Sequence, residues 1–160
     1  MQNELRQLLE TYMEIGTEAD LDALAYLLEG AGRKLQGKNS TFVDGILHME
    51  RKLDKNSCEI TIPAHPIIYN NLNIAHGGVT ATVLDTAMGT LANYLLPEGR
   101  GAVTNQLNIH YIAPGTGEAI RCKAEVVHQG SKTMVISGEA YRSDGKKIAY
   151  ATGTFFIINK

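Results

Sequence analysis

Cysteine is scarce in this 160-residue chain: Cys58 and Cys122 stand far apart, at no metal-type spacing. They read as packed free thiols in a reducing compartment, not as a disulfide frame. A basic excess is missing too. With a net charge of −2, nothing steers the chain onto nucleic acid or an acidic membrane surface. No apolar run approaches the ~20 residues that span a bilayer, so no membrane partner is expected. The opening MQNELRQLLE carries early charges and lacks the apolar segment of a secretory signal, so a cytoplasmic location is expected. His48, His65, His110 and His128 share no ligand spacing, so neither a metal nor another cofactor is expected. Internal repeats and low-complexity tracts are absent. What is there, 44% hydrophobic and 20% charged, is the composition of a globular chain with a proper core. Its length suits one domain, or one domain with a small appendage.

Leu5, Leu8, Leu9, Tyr12 and Met13 fall on one face of a helix over residues 2–15, ended by Gly16. Thr17 and Asp20 form a capping-box pair for a second short helix carrying Leu21, Leu24, Ala25 and Leu28, stopped by Gly30. AGRKLQGKNS, residues 31–40, reads as a linker. Residues 1–40 thus form a helical extension and 41–160 the main domain. The extension holds four basic residues against seven acidic ones, the wrong sign for a DNA-binding helix pair. A packing or oligomer-contact role fits it better.

From Ile46 the periodicity changes to strands: 46–53 and 58–63 around the turn Asp54–Ser57, then 102–112, 119–128, 132–142 and 147–158. Ser143-Asp144-Gly145-Lys146 is a hairpin turn. In the third strand Val103, Leu107, Ile109 and Tyr111 share one face, with Thr104, Gln106, Asn108 and His110 on the other. Short connections favour an antiparallel meander. Between the second and third strands lies Asn70–Tyr94, where a loop ending in His76 meets Gly77-Gly78 and an apolar helix opens. Val79, Val83, Ala87, Leu91 and Leu95 repeat every fourth residue, and a single carboxylate, Asp85, interrupts them. A buried carboxylate without a partner is costly, so Asp85 calls for a reason. One wide-faced helix on one antiparallel sheet is an α+β arrangement.

Asn70-x5-His76-Gly77-Gly78, then Asp85-Thr86-Ala87, Val103-Thr104 and Ile109-His110-Tyr111-Ile112-Ala113-Pro114 together resemble a known family. It is the acyl-CoA thioesterases of the phenylacetate-degradation type, a 4HBT-like group. The resemblance covers roughly residues 42–158. It implies the hot-dog fold, a curved antiparallel sheet of about five to six strands wrapped around a long central helix. It also implies hydrolysis of an acyl-CoA thioester to free acid and CoA. Asp85 would be general base or nucleophile, and the Gly77 amide would polarise the carbonyl. His76 would shape the loop, Asn70 would orient water or thioester, and Thr104 would sit near the carboxylate. Gly78, Tyr111 and the turn Gly130, Ser131 and Lys132 would contact substrate, the turn holding phosphate or pantetheine groups. Acyl-CoA is the implied partner, and a homodimer or dimer of dimers the implied assembly.

The residues themselves allow this chemistry. Unpaired N–H groups at a helix start, with the dipole behind them, draw a developing oxyanion, and glycine lets a carbonyl approach. Geometry adds a constraint. Gly77 and Asp85 are eight positions apart, so one helix separates them by ~12 Å along its axis. Base and oxyanion donor both need to lie within roughly 3 Å of the reacting centre. Two antiparallel helices could bring Gly77 of one copy opposite Asp85 of another, so the site is expected at a dimer interface. Two other functions compete: a hot-dog hydratase or dehydratase, and a non-catalytic acyl-CoA-binding regulator.

Overall fold

A computed structural model describes residues 1–159. The chain divides into two compact units, Met1–Met49 and Glu50 onward. The first holds α1 (Gln2–Ile15), α2 (Glu18–Leu35) and a short α3 (Phe42–Ile46). Thr17 and Asp20 do form the reciprocal capping box.

Two expectations fail here. Gly30 does not stop α2; it is buried inside the helix, and a Cβ on it would lie 2.6 Å from Ile46 Cα and 2.7 Å from Gly45 O. It is a glycine of close approach, and α2 consumes half of the expected linker before ending at Leu35. Residues 46–53 are not one strand. Thr41 caps α3 by accepting from the Asp44 N–H, and His48 then takes a left-handed φ of 48°, so strand β1 begins only at Glu50.

The second unit runs β1 (Glu50–Leu53), β2 (Ser57–Pro63), a 3₁₀ turn (Pro66–Ile68), α4 (Gly77–Tyr94), β3 (Arg100–Tyr111), β4 (Ala119–Gln129), β5 (Thr133–Arg142) and β6 (Lys147–Asn159). All six strands join one antiparallel sheet in the order β1-β2-β4-β5-β6-β3, with α4 packed against its strands. This is the hot-dog arrangement. Val83, Leu84, Ala87, Met88, Leu91 and Ala92 of α4 are fully buried, facing Ile60, Ile62, Ile120, Ile136 and Phe155 of the sheet. Each such large side chain contributes ~1.5–3 kcal/mol of burial. At Gly138 a Cβ would come within 3.1 Å of Leu84 and 3.2 Å of Met88, so helix and sheet meet closely there.

The faces of β3 differ from strict alternation. A bulge between Thr104 and Gln106 inserts Asn105 as an extra residue. Thr104 pairs with the buried Phe155, while Leu107, Ile109 and Tyr111 pair with Gly153, Ala151 and Ala149. Opposed residues share a face. Thr104 therefore lies on the helix side together with Leu107, Ile109 and Tyr111, and Val103 turns outward with Phe156. No helix among the described residues is long and apolar enough to cross a membrane.

Candidate active site

The loop before α4 is tied down by its own backbone and by Asn70. Asn70 Oδ1 accepts from the Leu72 N–H (2.9 Å), and its N–H donates to Ile74 O (2.9 Å). Ala75 N–H donates to Gly115 O, and His76 N–H to Ile68 O, both at 2.8 Å. His76 is thereby fixed as the N-cap of α4. Its Nδ1 accepts from the Gly78 N–H at 2.9 Å, so the ring proton resides on Nε2.

That cap separates the two glycines. The Gly78 amide is committed to His76, whereas nothing among the described residues accepts from the Gly77 N–H. From the other side Tyr111 donates its hydroxyl to Gly77 O at 2.7 Å, and its ring would lie 3.3 Å from a Cβ on Gly77. The residue carrying the open amide is thus held between an imidazole cap and a tyrosine. Beside it opens a cavity of 370 Å³ lined by Asn70, Gly77, Thr80, Tyr111, Pro114 and Ile148 among others. No charged side chain of the described residues lines it, so the amide and the dipole of α4 supply its field.

Asp85 does not line this cavity. Two turns further along α4, its Oδ1 accepts from Thr104 Oγ1 at 2.9 Å. The bulge at Asn105 makes that contact possible, since unbroken alternation would have aimed Thr104 away from the helix. Asn93, which sequence reasoning missed, sets the distance between the two elements. Its side chain donates to Gly89 O (2.9 Å) and Ala102 O (3.1 Å) and accepts from the Ala102 N–H (3.0 Å). An Asn in the last turn of a helix beside a strand start is too common a pattern to have singled it out.

The structure thus gathers Asn70, His76, Gly77, Gly78 and Tyr111 at one end of α4, and Asp85 with Thr104 further along. Gly130, Ser131 and Lys132 form the β4–β5 turn, where the Gly130 N–H donates to Thr133 O at 2.9 Å and none of the three lines the cavity.

Residues 72–149 match the family model described as the thioesterase superfamily. The BH2602 protein from Bacillus halodurans, solved with CoA, is 37% identical over 95% of this chain and 99% of its own, at a TM-score of 0.88. The medium/long-chain acyl-CoA thioesterase YigI of Escherichia coli K12 is 26% identical over 69% of this chain and 81% of its own. The acyl-coenzyme A thioesterase PaaI of the same organism is 28% identical over 63% and 71%. A capped helix with an open glycine amide, a strand-held Asp and these relatives lead to one conclusion: the chain belongs to the thioesterase superfamily of thioester hydrolases.

Proposed function

We propose that the protein hydrolyses acyl-CoA thioesters to free acid and CoA, with Asp85 activating water and the Gly77 amide receiving the oxyanion. In this reading Asp85 takes a proton from water as the water oxygen bonds to the thioester carbon. The carbonyl electrons move onto oxygen, where the Gly77 N–H meets them. Collapse of that intermediate breaks the C–S bond, and the CoA sulfur leaves with the proton Asp85 had taken. Thr104 holds the carboxylate, and Asn70 borders the carbonyl. The CoA-bound relative and the relatives named as acyl-CoA thioesterases support CoA as the leaving group.

The carrying observation is that the open amide borders a cavity from which Asp85 is absent. One copy of α4 holds the two groups ~12 Å apart by helical rise. The site is completed when α4 of a second copy runs antiparallel, bringing its Asp85 to this Gly77. β3 supports such pairing: it lies at the sheet edge, twelve residues long, with Val103 and Tyr111 exposed. Release of free thiol from a panel of acyl-CoAs tests the reading, with wild type beside Asp85→Asn. Wild type should turn over at least one chain length, and the variant should lose ~10²–10⁴-fold in kcat. An Asp85→Asn enzyme of full activity would remove Asp85 from the mechanism.

A further inference from the structure

Thr80 lines the same cavity as Gly77 and is only 3% exposed. Among the described residues its hydroxyl has no hydrogen-bond partner. Two other threonines of α4 behave differently: Thr82 donates to Gly78 O at 2.9 Å and Thr86 to Thr82 O at 2.7 Å. The corresponding acceptor for Thr80 is His76 O, which already receives the Val79 N–H (3.0 Å) and the Thr80 N–H (3.1 Å). The hydroxyl is not sealed within the protein, so Thr80 Oγ1 opens onto the cavity, where a bound acceptor can reach it.

The direction of the side chain is set by the helix. Helical Cα–Cβ bonds tilt toward the N-terminus, and positions i and i+3 lie on one face. Thr80 therefore leans back over the turn that begins at Gly77, whose N–H is a further unpartnered donor of this cavity. The remaining wall is largely apolar, with Ile74, Ala75, Ile112 and Ile148. Every acyl thioester brings one oxygen at its reacting carbon, and that oxygen gains charge during attack.

We propose that the Thr80 hydroxyl is a second donor to the thioester carbonyl oxygen, sharing it with the Gly77 N–H. The proposal rests on the acyl-thioester reading above and adds to it a catalytic residue on the helix itself. A donor aimed at developing charge acts mainly in the transition state, so its loss lowers kcat more than it raises KM.

The test measures thiol release by wild type, Thr80→Val, Thr80→Ala and Thr80→Ser. The substrates are saturated straight-chain acyl-CoAs and 3-hydroxyacyl-CoAs of equal length, and thermal melts run alongside. Thr80→Val and Thr80→Ala should lose ~10²-fold in kcat on both series alike. Thr80→Ser should keep most of the wild-type rate, and Thr80→Val should melt no lower than wild type. Wild-type kcat in Thr80→Val or Thr80→Ala on straight-chain substrates would overturn the proposal. So would a loss confined to the hydroxyacyl series, which would make Thr80 a reader of the acyl chain. Equal inactivity of Thr80→Ser would point to packing and overturn it as well. Inactive Asp85→Asn beside fully active Thr80→Val would sink this proposal alone, whereas a wild type inert on every thioester would sink both.

Discussion

Thr104 reaches Asp85 through one hydrogen bond of 2.9 Å, and everything about its usefulness depends on the orientation it gives that carboxylate. A hydrogen bond to a charged acceptor is worth ~1.5–3 kcal/mol, about ten- to hundredfold in rate if it is fully expressed in the transition state. Thr104→Val keeps the branched shape and the strand propensity while removing the donor. The expected outcome is a kcat lowered by ~10–100-fold with KM nearly constant, read by steady-state thiol release. Unchanged kcat would mean that Asp85 is positioned without Thr104. At this scale the sequence was partly legible. His76, Gly77, Gly78 and Asp85 fall at the start of α4 and within it, as their spacing implies, and only the family resemblance, not the spacing, separates the Gly77 amide from the Gly78 one committed to His76. That difference arises because the His76 ring caps the helix through Nδ1, a position held by the loop anchored at Ile68 and Gly115.

Elements were readable where a single period governs them. α1, α4 and the four long strands follow from amphipathic spacing and turn residues, and their bounds fall close to the expected ones. Where tertiary contact overrides the local signal, reading failed. Gly30 looks like a helix stop because glycine lacks helix propensity, yet the backbone of Gly45 and Ile46 occupies the space a side chain would need. Propensity and packing therefore give opposite signs for Gly30→Ala. Propensity alone favours alanine by ~1 kcal/mol. Overpacking against fixed backbone costs ~1–3 kcal/mol, and because the intruded atoms are backbone the cost should win. Chemical denaturation should show a lower midpoint for Gly30→Ala, and a raised midpoint would show that α2 and α3 can spread. The bulge at Asn105 was equally invisible, since an extra residue in a strand leaves no mark on composition. It still decides which face of β3 carries Thr104.

On the scale of the whole molecule, one chain does not bring its own two candidate groups together. Each chain presents an open amide in one place and a held carboxylate in another, and helical rise keeps them apart. A two-fold pair would form two sites, each with Gly77 from one copy and Asp85 from the other. Proline at position 77 removes that amide alone. It suits the first helical residue, and His76 already has the extended φ of −60° and ψ of 132° that a following proline requires. The exposed Tyr111 ring, 3.3 Å from a Cβ there, needs to yield only slightly. Gly77→Pro and Asp85→Asn, each inactive alone, should be unfolded together at equal concentration, refolded and assayed for thiol release. With random pairing, half of the dimers are mixed and each carries one intact site, so activity should return to about a quarter of wild type. A mixture no more active than its parents would contradict the shared site.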